Sequence, residues 1–191
     1  MAAAAGLEVR LALSGAWRLA LGDRHGLARF DLSEAGFWRS FRAAVLGYPL
    51  YLLLLLLVVN SSEWQHSGGF RVVAAETIDY VIGWVAFPLA MLPISRRFGR
   101  EHRFFAFMTV YNWCQLPEMV LFVFVALAGA GSLLPLPAAQ FATVAAAAAV
   151  AVYEWFIARA ALEVTRLAAV LVVLVNFILR LVVGQTAELM Y

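Results

Sequence analysis

The sequence contains no lysine, so all 14 of its basic residues are arginine, and against 12 acidic residues they leave a net charge of only +2. A domain that binds nucleic acid normally carries a basic patch or stripe on one face, so we predict no nucleic-acid partner. The single cysteine, Cys114, excludes an intrachain disulfide and every metal or redox motif that requires a pair of cysteines.

Familiar catalytic patterns are also missing: the chain has no GxGxxG, Walker, HExxH or GxSxG motif. Its three histidines, His25, His66 and His102, are far apart in the sequence. Neighbouring serines at Ser61 and Ser62 have no evident base to activate them. We therefore predict a protein that is not an enzyme and that has neither a cofactor nor a metal site.

Apolar residues are abundant: 64% of the chain is hydrophobic and the mean hydropathy is +0.86. Each of five apolar segments is near the length of about 20 residues that a helix needs to cross a bilayer. They cover residues 41–59, 72–95, 104–130, 138–158 and 167–184. Because only helices satisfy their backbone groups one segment at a time in lipid, we predict an all-α, polytopic bundle of five transmembrane helices.

The first forty residues have a different character from the rest. Residues 7–21 place leucines and a tryptophan beside Arg10 and Arg18, a pattern typical of an amphipathic helix at the membrane surface. A second short helix is predicted over residues 30–41, because Asp31 followed by Glu34 resembles a capping box. We therefore divide the chain into an N-terminal segment with interfacial helices, residues 1–40, and a five-helix transmembrane domain, residues 41–191.

The arginines indicate an orientation. Twelve of them flank the five segments on one side: Arg10, Arg18, Arg24, Arg29, Arg39, Arg42, Arg96, Arg97, Arg100, Arg103, Arg159 and Arg166. The other side has only Arg71, while Arg180 lies inside the fifth segment. Positively charged loops stay in the cytoplasm, so the N-terminus is predicted to be cytoplasmic and the C-terminus to lie outside.

Two opposite charges lie deep inside predicted membrane helices. Glu118 is 15 residues beyond Arg103 and Arg180 is 14 residues beyond Arg166, which places both about 21–22 Å from the cytoplasmic edge. We therefore predict that Glu118 pairs with Arg180. Pro117 cannot donate a helical hydrogen bond, so we also expect a kink there and a free carbonyl at Trp113.

Further polar residues occupy the same helices. Asp79 is an alternative partner for Arg180, and Gln115, Asn112 and Asn176 complete a predicted intramembrane polar cluster. Glu154, only about 8 Å from the cytoplasmic edge by the same count, is instead predicted to snorkel or to pair locally.

Three interpretations of the Glu118–Arg180 pair stay open. A buried clamp would fix the register of the helices, and a working site would handle a proton, an ion or a substrate. In the third interpretation, Arg180 snorkels outward and never meets Glu118.

An arginine-rich lead, five closely spaced spans and a short outer tail over residues 30–191 resemble the Yip family of small membrane proteins. Of the family's eukaryotic motifs, the stretch FDLSEAGFW keeps only an Asp-Leu pair. Eukaryotic members of that family interact with Rab GTPases and act in vesicle traffic, and many bacterial members have no assigned activity. The resemblance implies a bacterial inner-membrane protein.

The predicted function is non-catalytic: an accessory or scaffold protein of the membrane that contacts lipids and either other membrane proteins or further copies of itself. The alternative is a small transporter or channel component. Its polar pathway would use Glu118, Arg180, Asp79, Gln115 and Asn112.

Overall fold

A computed structural model describes residues 2–59, 68–131 and 133–188, and the chain over these ranges is helical, without a strand. The α-helices are α1 (Ala2–Ala20), α2 (Glu34–Ser40), α3 (Arg42–Val58), α4 (Gly69–Arg97), α5 (Phe104–Ala130), α6 (Leu136–Ala161) and α7 (Arg166–Glu188). Two short 3₁₀ helices, Arg24–Arg29 and Glu101–Arg103, join α1 to α2 and α4 to α5.

Five of these helical stretches are long and apolar enough to cross a membrane, which confirms that part of the prediction. Four of them are Gly69–Arg97 (α4), Glu101–Ala130 (the second 3₁₀ helix with α5), Leu136–Ala161 (α6) and Arg166–Thr186 (most of α7). The first combines α2 and α3 into one stretch, Glu34–Val58. It begins seven residues before the predicted start because its first turns, although partly polar, continue directly into the apolar run.

Helix α5 is the centre of the bundle, since it packs against α1, α2, α3, α4 and α6. From Phe104 to Glu118 nearly every side chain on every face of α5 is buried. A helix that is apolar on all sides and surrounded by others is expected to be a core helix. Helix α7 packs instead against α4 and α6, and its Arg180 side chain hydrogen-bonds to Tyr111 and Glu118 of α5.

Helix α1 packs across one end of the bundle. Its buried face is formed by Ala12, Ala16 and Leu19, and the Tyr153 hydroxyl of α6 donates a 2.8 Å hydrogen bond to the Ala16 carbonyl. The residues that predicted the amphipathic helix lie on the opposite, exposed side: Leu7, Leu11, Trp17 and Leu21. Ala12 and Ala16 are small enough to let α1 approach the bundle closely. The larger side chains from which the amphipathic helix was predicted are therefore not the ones that α1 buries.

The start of α2 differs from the predicted capping box. Ser33 is the N-cap, and its Oγ accepts a 3.1 Å hydrogen bond from the Gly36 N–H. The capping-box prediction is wrong because Glu34 is the first helical residue, whereas the motif requires it three positions after the cap. Asp31 accepts a hydrogen bond from the Ser33 N–H and pairs with Arg39. The hydrogen bonds from Ser33 hold the pKa of Asp31 below its usual value.

Three contacts bring Arg24, Arg103 and Arg166 to one end of the molecule. Arg103, before α5, forms an ion pair with Glu163, which lies between α6 and α7. The Trp155 indole donates a 3.1 Å hydrogen bond to the Arg166 carbonyl. The guanidinium of Arg24 lies 5.8 Å from the centre of the Phe156 ring, which attaches the N-terminal segment to the same end. We call this the arginine-rich end.

Candidate functional site

Four polar side chains surround Arg180, and we call the five residues together the Arg180 cluster. The Arg180 Nη2 atom donates hydrogen bonds to the Tyr111 hydroxyl at 3.2 Å, to Glu118 Oε2 at 3.3 Å and to Glu154 Oε1 at 3.0 Å. Asn176 Nδ2 donates to the same Glu154 oxygen at 2.7 Å. The cluster therefore joins α5, α6 and α7 through one guanidinium group.

Helical spacing explains how each helix contributes. Tyr111 and Glu118 are seven residues apart in α5, which places them on one face two turns apart. Asn176 and Arg180 are four residues apart in α7 and therefore adjacent on one face. The contact between Glu118 and Arg180 that their equal depths predicted is present in the structure.

Glu154 is the member that sequence reasoning missed. It is buried and shared between Arg180 and Asn176, although its position had indicated a snorkelling or locally paired carboxylate near the membrane edge. Consecutive helices α6 and α7 run in opposite directions, and helical side chains tilt toward the N-terminus of their own helix. The side chains of Glu154 and Arg180 thus extend toward each other, which a count of backbone depth omits.

The other predicted members lie elsewhere. Asn112 is one residue from Tyr111 and so about 100° around α5, where its Nδ2 donates a 2.8 Å hydrogen bond to the Ser40 hydroxyl of α2. Asp79 and Gln115 both line a cavity that Arg180 also lines. Within the described ranges, Asp79 makes no ion pair with Arg180.

Pro117 lies inside α5, which continues without a break from Phe104 to Ala130. Because proline has no N–H, the carbonyl of Trp113 loses its usual helical donor one turn earlier. The kink predicted at this position stays a prediction.

Two cavities adjoin the cluster. One, of about 230 Å³, lies among α3, α4, α5 and α7. The other, of about 250 Å³, lies among α5, α6 and α7. Phe122, Asn176 and Arg180 line both cavities. The Arg180 side chain is 44% exposed, whereas Glu118 and Glu154 are only 4% and 8% exposed, so the arginine is the member most open to a solute in these spaces.

The charges in the cluster are unequal, since two carboxylates face a single guanidinium. Glu118 Oε1 is moreover buried without a hydrogen-bond partner in the part of the chain that the structure describes. Buried polar atoms are normally paired, and an unpaired charge inside a membrane is costly. A proton or a bound cation would correct the charge imbalance.

Metal coordination has no support from the described side chains, which contain no group of three or more His, Cys, Asp or Glu residues placed to hold a metal ion. His66, Ser61 and Ser62 belong to residues 60–67, outside the described ranges.

Comparison with known proteins gives no relative: no protein-family model, no curated protein and no solved structure matches the chain.

Proposed function

We propose that the chain is an integral membrane protein of the bacterial inner membrane, with its arginine-rich end in the cytoplasm. Five helices long and apolar enough to span support this proposal. Arginines from three separate connecting segments lie at a single end, as the positive-inside rule requires of cytoplasmic loops. Exposed Trp17 and Trp38 lie in the helices of the N-terminal segment and fit the headgroup region, where tryptophan is enriched.

Within that membrane, the proposed function is that of a small transporter or channel component, with the Arg180 cluster as its working site. The observation that carries this proposal is the pairing of two buried carboxylates with one guanidinium beside two cavities. If the cluster served only to hold helices together, we would expect as many positive as negative charges and a hydrogen bond at every carboxylate oxygen. Here Glu118 Oε1 has no partner among the described residues, and Arg180 is partly open.

An accessory or scaffold role is the second candidate. This role is supported by the hydrogen bonds with which the Arg180 cluster connects three helices. Polar contacts of this kind can fix the register of membrane helices. Its partners would be membrane lipids with other membrane proteins or further copies of this chain. The resemblance to the Yip family favours this second candidate.

Reconstitution into liposomes tests the transport proposal. Purified wild-type protein would be placed in vesicles that contain a pH-sensitive dye, and a potassium diffusion potential would drive ion movement. The uptake of labelled small solutes would be followed in parallel. We expect flux above that of protein-free vesicles for protons or for at least one solute.

The absence of any flux from folded wild-type protein, across protons, alkali cations and small organic ions, would contradict transport. The accessory role has its own test: extraction from native membranes in mild detergent, followed by mass spectrometry. A stoichiometric partner protein that copurifies reproducibly would support that role, whereas a homo-oligomer without a partner would count against it.

A further inference from the structure

The cavity among α3, α4, α5 and α7 has six aromatic side chains in its wall. It is lined by Tyr51, Tyr80, Trp84, Phe87, Tyr111 and Phe122. The rings pack in pairs, with centres 4.7 Å apart for Tyr51 and Tyr80 and 4.3 Å apart for Phe87 and Tyr111. Aromatic faces carry negative charge density and attract cations, above all substituted ammonium groups that are easily removed from water.

One carboxylate in this wall has an oxygen without a partner. Asp79 lines the cavity, and its Oδ1 atom is buried without a hydrogen bond in the part of the chain that the structure describes. Arg180 lines the same cavity, but its charge is already met by Glu118 and Glu154. Among the described side chains Asp79 therefore has no cationic partner, and a cation bound beside it would balance its negative charge.

The residues that line the cavity indicate which kind of cation it would bind. Small metal ions require several oxygen ligands, and the described side chains offer no such group. An ammonium group with alkyl or aryl substituents needs one counter-charge and apolar contacts, both of which this cavity supplies. Its volume of about 230 Å³ limits the ligand to a small molecule.

We propose that this cavity binds a small organic cation, a substituted ammonium, with its charge beside Asp79 and its substituents against Trp84 and Phe87. The proposal rests on the transport function and names the class of solute for it. Binding is a separate property from flux, so each can fail without the other.

The test is binding of radiolabelled benzyltrimethylammonium to the full chain in detergent, with neopentylbenzene as its uncharged counterpart of the same shape. We expect saturable binding that unlabelled benzyltrimethylammonium displaces and neopentylbenzene does not. Asp79→Asn should weaken binding at least about tenfold, because the counter-charge is removed and little volume changes.

A second variant tests the location. Gly83 lines the cavity, and a Cβ added there would meet no atom within 4 Å. Gly83→Leu should therefore occupy the cavity without a backbone clash and weaken binding at least about tenfold. Gly184→Leu is the matched control, since it has equal room at Cβ and does not line the cavity. Glu101→Gln, which removes an exposed carboxylate that does not line the cavity, is the charge control.

Each variant would first be shown to unfold at a temperature close to that of the wild-type protein. Three results would overturn the proposal: no saturable binding to the wild-type chain, equal displacement by neopentylbenzene, or unchanged affinity in both Asp79→Asn and Gly83→Leu. Proton flux without binding would overturn only the solute class, and binding without flux would overturn only the transport proposal.

Discussion

Arg180 would cost at least about 2.5–3.5 kcal/mol at the centre of a membrane without compensation, and its surroundings reduce that cost. Three acceptors on two other helices receive hydrogen bonds from its Nη2 atom. Two of these acceptors are carboxylates. Arg180 therefore both balances the charge of the two carboxylates and holds α7 against α5 and α6, so replacing it should affect both properties.

Replacing Arg180 by methionine should lower the free energy of unfolding by about 3 kcal/mol, because two buried carboxylates then lose their counter-charge. We take the lower end of the known range since the Arg180 side chain is partly open to the cavities. Reversible denaturation in detergent measures the change.

Neutralising the remaining partners provides the control. Glu118→Gln and Glu154→Gln added to Arg180→Met should recover most of the lost stability, since no unpaired charge is left. If the triple variant is as unstable as the single one, the loss comes from packing and the electrostatic explanation is wrong.

Asp23, outside the spans, should show a pH dependence of its own. Hydrogen bonds from the backbone and side chain of His25, together with Arg18, lower the pKa of Asp23 to about 2. A lowered pKa means that these contacts contribute fully above the unfolded value of about 3.8 and lose their contribution as the pH falls through about 2.

Carboxyl ¹³C shifts of the labelled protein in micelles would measure this titration. The midpoint of Asp23 should lie near pH 2 and should rise in His25→Ala, which removes one donor. A wild-type midpoint near 3.8 would show that the contacts do not form.

At the scale of the helix, Gly47 sets how closely α3 approaches α5. A Cβ at this position would lie 2.8 Å from Met119 Sδ, 3.1 Å from the Tyr80 hydroxyl and 3.2 Å from Leu116 Cδ2. Small residues permit such close contacts between membrane helices.

Gly47→Ala should therefore lower the free energy of unfolding by about 1–3 kcal/mol through overpacking. The matched control is Gly83→Ala, also in a membrane-length helix, where the new Cβ meets nothing within 4 Å. Thermal unfolding in one detergent compares the two. Equal stability of both variants would contradict the close approach of α3 to α5.

The sequence predicted some elements better than others, for physical reasons. Long apolar runs determine the spanning helices almost directly, and all five are present. The packing of α1 was not predictable in this way, because two of the three residues on its buried face are alanines, whose pattern is weaker than that of its exposed leucines. Helix starts such as Ser33 depend on a single hydrogen bond and are correspondingly easy to misplace.

The same contrast holds for the site. Matching depth predicted the Glu118–Arg180 contact because both side chains tilt the same way from parallel helices. Glu154 was missed because α6 and α7 are antiparallel, so that its side chain and that of Arg180 tilt toward each other from different depths. Asn112 was misplaced because it follows Tyr111 by one residue, which turns its side chain about 100° around α5 from that of Tyr111.

For the whole molecule, chemical labelling tests the orientation. Cys114 is fully buried, so the wild-type chain should not react with a maleimide that cannot cross membranes. In a Cys114→Ala background, Leu133→Cys should be labelled in intact spheroplasts, since residue 133 is 78% exposed between α5 and α6.

Arg97→Cys, at the arginine-rich end, should be labelled only after the membrane is permeabilised. The reverse pattern would place that end outside, and labelling of both positions without permeabilisation would contradict a spanning bundle.

The most direct test of the central claim is the flux and the stability of Glu118→Gln measured side by side in the same liposomes. This substitution keeps the size of the side chain and an acceptor for Arg180, and it leaves one carboxylate per guanidinium. If the Arg180 cluster is a working site, flux should disappear while the unfolding temperature is unchanged or higher. Unaltered flux, or a loss of flux that only accompanies unfolding, would contradict the claim and leave the cluster as a clamp between helices.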